Sequence, residues 1–159
     1  MSDRRLTVTA DVDHAIRMHG QETYPNECCG ALVGRGDCVT DVVALPNTTE
    51  EGPRRRFLVS ASDYGEAERR ATDLQGELLG FYHSHPDHPA RPSQYDLDHA
   101  WPTFAYVIVS VAGEGLGPEG AKAGDMTVWY LKDDRSSFDE GTLLYGENTH
   151  SDAAQTVHR

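Results

Sequence analysis

The chain has 159 residues, 38% of them hydrophobic, so it suits one domain with a single well-filled core. Its formal net charge of -12 argues against nucleic acids and anionic membranes as partners, because both require a basic face. No apolar run approaches the about 20 residues of a membrane-spanning helix, and the start lacks a signal peptide's hydrophobic core, so we expect a cytoplasmic location. The cysteines, Cys28, Cys29 and Cys38, do not form a disulfide framework, which agrees with that location.

The first third of the chain predicts a strand, a helix and a hairpin. "RLTVTA" alternates as a strand does, and Asp11 is placed to cap a helix that ends before Pro25. One face of this helix carries residues at helical spacing: Val12, Ala15, Ile16 and His19. The segments "CCGALVG" and "CVTDVVAL" then predict two strands joined by a turn at "GRGD".

The remainder predicts further strands and two helices. After the loop "PNTTEEGPRRR", a short strand is expected at Phe57–Val59, and Ser60 or Ser62 can cap a helix with the apolar face Tyr64, Ala67, Ala71 and Leu74. "ELLGFYHSH", "FAYVIVSV" and "DMTVWYLK" predict strands, and "SQYDLDHAW" a short helix ended by Pro102. We therefore expect an α/β fold, a mixed β-sheet flanked by helices. Residues 1–145 would form one domain and 146–159 a polar, flexible tail.

A pair of histidines ends the "ELLGFYHSH" strand. His83 and His85 are two positions apart, so they project to one face of the strand, and Leu79 and Phe81 are expected beneath them. Two imidazoles at a rigid strand end supply half of a zinc site. Taken alone, an H-x-H pair is equally compatible with histidines solvated at the end of a strand.

Two further residues extend this pair into a longer pattern. Ser93 and Asp96 follow it, giving H-x-H-x7-S-x2-D, a chance match on the order of a few in a thousand. Taken alone, Ser93 is a good helix N-cap and Asp96 a good acid for the first helical turn. An aspartate facing the strand end would complete three protein ligands, and three ligands leave the fourth zinc position to water, as in catalytic sites.

At this point the sequence resembles the JAMM, or MPN-plus, metalloproteases, whose signature joins an upstream glutamate to H-x-H-x7-S-x2-D. Here the glutamate is Glu27 in "YPNECCGALVG", and the pattern is "HSHPDHPARPSQYD". The resemblance implies that His83, His85 and Asp96 bind Zn²⁺, that Glu27 is the general base, and that Ser93 stabilises the oxyanion. It also implies a fold similar to that of the cytidine deaminases.

The resemblance runs from about Leu6 to Leu131. Two other carboxylates, Glu22 and Glu77, compete with the upstream glutamate for the role of base but lie outside the matching sequence context. The ligand motifs of the deaminases themselves, H-x-E and P-C-x-x-C, are absent from the chain, which argues against base deamination.

The family's small prokaryotic members imply a substrate class. They hydrolyse a peptide or isopeptide bond at the C-terminal Gly-Gly tail of a ubiquitin-like or sulfur-carrier protein, and the chain's compactness resembles them. Arginines in the "TTEEGPRRR" loop, Arg54, Arg55 and Arg56, offer a contact for an acidic carrier, although a solvated loop is the commoner role of such a run.

Three other hypotheses stay open from the sequence. His83, His85, Asp87 and His88 form H-x-H-x-D-H, which resembles metallo-β-lactamase-like hydrolases, although the chain is short and their downstream ligand motifs are missing. Cys28 or Cys29 offers a thiol nucleophile, although cysteine at the start of an apolar strand is usually a small buried hydrophobe. Relatives without metal ligands suggest a non-catalytic protein-binding scaffold, which the intact motif argues against.

Overall fold

The fold is a mixed sheet with helices on both faces, seen in a computed structural model that describes residues 3–46, 60–114 and 117–147 and the backbone of Val157–His158. The helices are α1 (Ala10–Thr23), α2 (Ala61–Asp73) and α3 (Gln94–His99), with a 3-10 turn at Pro118–Gly120. Nine strands lie in these residues: β1 (Arg5–Thr9), β2 (Cys29–Arg35), β3 (Cys38–Leu45), β4 (Glu77–Pro86), β5 (Ala105–Ala112), β6 (Lys122–Leu131), β7 (Phe138–Glu140), β8 (Thr142–Gly146) and β9 (Val157–His158).

The sheet has the order β7-β6-β5-β4-β2-β3-β1-β8, and β9 pairs with β3. Strand β4 lies in the middle, antiparallel to β2 and parallel to β5, and the predicted mixed sheet is thereby confirmed. Helix α1 packs on one face through Val12, Ala15 and Ile16, and α2 packs on the other through Ala67 and Ala71. None of the helices in the described residues combines the length and apolarity needed to cross a bilayer.

The helix caps explain where α1 and α2 begin. Thr9, the last residue of β1, caps α1 by accepting a hydrogen bond from the Val12 amide at 3.2 Å. The prediction that Asp11 is this cap is wrong, because Asp11 lies in the first helical turn, where its charge favours the helix dipole. Of the two predicted caps for α2, Ser60 is the one observed, and it accepts from the Asp63 amide at 3.1 Å.

A register shift in β4 separates the two faces of the sheet. Pairing with β2 passes from Gly80 to Leu78, so Leu79 is skipped and packs on the α1 side, whereas Phe81 packs on the α2 side. The expectation that Leu79 lies beneath the histidines is wrong, because one extra residue in a strand reverses the alternation of side chains before it. Phe81 keeps the expected face.

Several strands lie outside the predictions. β7 and β8 were not expected from the sequence, and β8 forms the sheet edge beside β1. The predicted Phe57–Val59 strand and the arginines Arg54, Arg55 and Arg56 lie outside the described residues. The division at residue 145 and the flexible tail stay predictions.

Backbone contact between β4 and β5 makes Gly80 a test of the fold. A Cβ on Gly80 would lie 1.9 Å from the carbonyl oxygen of Ala105. This oxygen belongs to the backbone of the paired strand, so it cannot move aside as a flexible side chain could. We expect Gly80→Ala to lower the free energy of unfolding by about 1–3 kcal/mol, measured by urea denaturation.

Gly65 supplies the matched control. It lies in α2 with no atom within 4 Å of a Cβ built on it, so Gly65→Ala should raise stability by about 0.5–1 kcal/mol through helix propensity. Equal effects of the two substitutions would contradict the β4–β5 pairing.

Candidate metal centre

Three side chains converge where β4 ends. The Nε2 atoms of His83 and His85 lie 3.1 Å apart, and Asp96 Oδ2 lies 3.4 Å from the first and 3.3 Å from the second. Donors bound at zinc's usual 2.0–2.1 Å in a tetrahedral site lie about 3.3–3.4 Å apart. The three edges of this triangle therefore fit one tetrahedral zinc ion, and the donor set of two imidazoles and a carboxylate suits it chemically.

The strand and a backbone carbonyl orient the histidines. Both rings project from β4 to the same face, as the alternation predicted. His85 Nδ1 lies 2.9 Å from the carbonyl oxygen of Pro89, an acceptor only, so we assign the ring proton to Nδ1. In the neutral ring, Nε2 then presents its lone pair to the centre, the usual arrangement for a histidine that binds a metal.

Helix α3 delivers the carboxylate. Ser93 is its N-cap and accepts from the Asp96 amide at 3.1 Å, while Asp96 Oδ2 accepts from the Ser93 amide at 2.8 Å. This reciprocal pair holds the carboxylate through the helix start, so the N-cap role foreseen for Ser93 is the structural one. Ser93 is exposed, and its hydroxyl hydrogen remains available for donation because the cap uses only its oxygen.

Burial and mutual charge set the protonation states. Burial lowers the pKa of His83, more than Asp96 raises it. For His85, burial also acts downward, but the hydrogen bond and charge of Asp96 leave its pKa raised. For Asp96, burial acts upward, and the two histidines outweigh it and hold its pKa far below the ordinary value. Asp96 is thus a carboxylate at neutral pH, the form that binds a metal.

Glu27 lies just beyond the end of the β2–β4 ladder. Cys29 pairs with His83, and the Ser84 amide donates to the Cys28 carbonyl at 3.2 Å, so Glu27 is the next residue beyond the last hydrogen bond of this ladder, at the end of β4 that carries His85. Continuing this register by one residue would set Glu27 opposite His85, on the face that carries both histidines. Glu27 is buried, and its charge contributes to the raised pKa of His85.

Ser84 is a supporting residue that the sequence did not identify. Its position between the two histidines predicted only that its side chain lies on the opposite face of β4. Its hydroxyl accepts a hydrogen bond from the Cys28 amide at 2.9 Å, so it fixes the backbone next to Glu27. The competing carboxylates lie elsewhere. Glu22 is exposed on α1, across the sheet, and Glu77 begins β4, about 20 Å along the strand from His83.

The rival metal set does not assemble. The Asp87 carboxylate accepts from the Tyr24 hydroxyl at 2.5 Å and from the amides of Gly113 and Glu114 at 2.9 and 3.1 Å, so it is engaged by other loops. His88 is exposed. In the parts of the chain that the structure describes, the grouping of metal-capable side chains contains neither of them.

The thiol hypothesis also fails at the site. Cys28 is fully buried, and burial raises its pKa to about 12. Burial raises the pKa of Cys29 as well, and its Sγ donates to the carbonyl of Leu45 at 3.6 Å. Because the thiolate is the nucleophile, thiols held protonated at neutral pH do not suit nucleophilic catalysis.

Known proteins are similar to this chain in sequence. Residues 9–132 match Prok-JAB, the prokaryotic homologs of the JAB domain. The chain is 32% identical over 120 residues to a desampylase from Haloferax volcanii, spanning 71% of this chain and 86% of that relative. It is 36% identical over 107 residues to a "Probable TtuB-protein conjugate cleaving protease" from Thermus thermophilus, spanning 65% of this chain and 70% of that protein.

A solved structure agrees in fold. A JAB1/MPN domain protein from Archaeoglobus fulgidus superposes with a TM-score of 0.53 at 17% identity, over 89% of this chain and 97% of that one. The matched residues 9–132 include β4 and α3, the two elements that carry the His83, His85 and Asp96 cluster. The chain therefore belongs to the prokaryotic JAB-domain family, the small prokaryotic type of JAMM/MPN protein.

Proposed function

We propose that this chain is a zinc-dependent isopeptidase that hydrolyses the peptide or isopeptide bond at the C-terminal Gly-Gly tail of a ubiquitin-like or sulfur-carrier protein. The observation that carries the proposal is the meeting of three ligand atoms within 3.1–3.4 Å of one another. The names of the two relatives, a desampylase and a TtuB-conjugate cleaving protease, support the substrate class.

His83, His85 and Asp96 would hold the ion. Bound zinc supplies Lewis-acid polarisation of a carbonyl and lowers the pKa of a water molecule to about 7. Three protein ligands leave one position of a tetrahedral site open to the reactants. The buried carboxylate also offsets part of the ion's charge, which favours retention of the ion in a site with little solvent around it.

Glu27 is the proposed general base. It takes a proton from the attacking water and returns it to the leaving amine, so the proton is conserved over the reaction. Its burial next to the end of the β2–β4 ladder and the effect of its charge on the pKa of His85 support this role. Ser93 is the proposed oxyanion donor, because its hydroxyl hydrogen is free of the helix cap and its neighbour three positions on is a ligand.

Burial of the site favours a narrow substrate. The relative exposures of Glu27, His83, His85 and Asp96 lie between 1% and 8%, so only a thin, extended segment brings its carbonyl to them. Two glycines provide such a segment, because a chain without side chains approaches other groups closely. This constraint supports a Gly-Gly tail as the acyl side of the scissile bond.

A conjugate assay tests the proposed function. A ubiquitin-like carrier joined through its C-terminal glycine to a lysine of a reporter should be cleaved, and mass spectrometry should find the carrier ending in Gly-Gly. Dialysis against a strong chelator should abolish cleavage, and added zinc should restore it. Full activity after complete removal of metal would overturn the proposal.

Asp96 should set the affinity for zinc. Asp96→Asn keeps an oxygen for the Ser93 amide but removes the charge, so we expect the zinc dissociation constant to rise by about 10-fold or more. Competition with a chromophoric chelator measures it. Asp98→Asn, on the exposed side of the same helix, is the control and should leave affinity unchanged. Equal losses in both variants would remove Asp96 from the site.

Glu27 should set turnover without affecting metal content. We expect Glu27→Gln to fold and bind zinc but to lose about 100-fold or more in kcat, because the amide cannot accept the proton. Metal analysis and the conjugate assay provide the two measurements. Glu22→Gln and Glu77→Gln are the matched controls and should remain active; retained turnover in Glu27→Gln would show that the base lies elsewhere.

A further inference from the structure

The loop after β4, residues Asp87–Ala90, is held at every position; we call it the ligand loop. It lies between the two histidines and α3, so it connects all three proposed ligands. Three of its four residues, Asp87, His88 and Pro89, are exposed. Exposed loops are normally among the more mobile parts of a fold. This one is instead held by several hydrogen bonds, which suggests that its position matters.

Asp87 fixes the beginning of the loop. Its amide donates to the Val111 carbonyl at 2.7 Å, and its carboxylate accepts from the Tyr24 hydroxyl and from the Gly113 and Glu114 amides. Asp87 has φ 58°, a left-handed conformation that aspartate and asparagine adopt more readily than most residues. One side chain thus joins the segment after α1 and the segment after β5 to the ligand loop.

Two hydroxyls fix the rest of the loop from neighbouring strands. Ser110 on β5 donates to the carbonyl of His88 at 2.7 Å. Thr127 on β6 donates to the carbonyl of Ala90 at 2.7 Å and is itself oriented by the indole N–H of Trp129 at 2.7 Å. The peptide carbonyl between these two anchors belongs to Pro89, and it accepts from the His85 ring.

We propose that Asp87 and Thr127 are positioning residues for His85. By immobilising the ligand loop from both ends, they hold the Pro89 carbonyl where it receives the Nδ1 hydrogen of His85 and aims Nε2 at the metal. This inference rests on the proposed function for its metal, but the hydrogen bonds themselves belong to the metal-free chain.

The loop would affect metal affinity by fixing the orientation of the His85 ring. A histidine ring at a strand end turns about its side-chain bonds unless its second nitrogen is engaged, and loss of such an outer hydrogen bond typically costs about 10–100-fold in metal affinity. Asp87 therefore contributes to the site without touching it. It was a candidate ligand in the sequence, and the structure assigns it a supporting role instead.

Substitutions at Asp87 separate positioning from ligation. Asp87→Gly tolerates the left-handed backbone but removes all side-chain hydrogen bonds, so we expect zinc affinity to fall about 10-fold or more. Asp87→Asn keeps an acceptor for the two amides and offers an N–H to the Tyr24 hydroxyl, so its affinity should stay within about threefold of the parent. Asp134→Gly removes a comparable loop aspartate at the other end of the sheet and should have no effect.

Thr127 provides a second, independent measurement should Asp87→Gly not fold. Thr127→Val keeps the shape and removes the hydroxyl, and we expect weaker zinc binding and an altered Co²⁺ absorption spectrum; Thr127→Ser should restore both. NMR of the metal-free protein adds a readout independent of metal. The parent should show His85 protonated at Nδ1 and slow to exchange, and Asp87→Gly and Thr127→Val should lose this signal.

The outcomes distinguish the two proposals. If Asp87→Gly and Thr127→Val fold, bind zinc like the parent and keep the His85 signal, the positioning role is overturned. It is equally overturned if Asp87→Asn loses as much affinity as Asp87→Gly, because the charge would then matter rather than the hydrogen bonds. If the parent itself binds no zinc, the proposed function fails, and the NMR signal alone decides the positioning role.

Discussion

The antiparallel pairing of β2 with β4 is the constraint on which the site depends. Cys29 lies opposite His83, and the ladder continues through Cys28 and Ser84, so Glu27, the next residue, lies at the end of β4 that carries His85 and contributes to its raised pKa. No local feature of the chain joins these two residues, which are separated by 58 positions (85 minus 27). A shift of one residue in this register would turn Glu27 to the α1 side of the sheet and remove it from the ligands.

Burial of the site costs free energy of folding and also sets the protonation states of its side chains. An unpaired buried carboxylate costs on the order of several kcal/mol, and here the two imidazoles lie within 3.3–3.4 Å of Asp96 and compensate its charge. The same neighbours hold the pKa of Asp96 low and keep it ionised, while burial keeps the His83 imidazole neutral. The arrangement thus suits a divalent cation at two of its donors, while His85, whose pKa Asp96 raises, would release a proton when a metal binds.

Position is controlled at two scales. Strand pairing decides which residues of β4 face the cluster, and hydrogen bonds from nearby residues fix the orientation of each side chain. The capping box of α3 fixes Asp96, and the Pro89 carbonyl fixes His85. Both side chains are therefore held by their own neighbours in the metal-free chain, which is the kind of preorganisation that a metal site requires.

Local sequence pattern identified the candidate ligands. Two positions on a strand share a face, and a serine followed three positions later by an acid marks a helix start, so His83, His85 and Asp96 were identifiable as ligands that could meet. The main strands and helices followed from the same short-range periodicities. The resemblance to a family, rather than any spacing, named Glu27.

Tertiary structure decided the rest, because it depends on contacts between distant segments. The register shift at Leu79, the pairing of β8 with β1 and the approach of Glu27 to the His85 end of β4 all follow from how strands align across long connections, which periodicity does not encode. Asp87 shows the limit most clearly: the sequence placed it beside two histidines as a possible ligand. The fold surrounds its carboxylate with a phenol and two amides that come from other segments, and those hydrogen bonds engage it away from the three converging side chains.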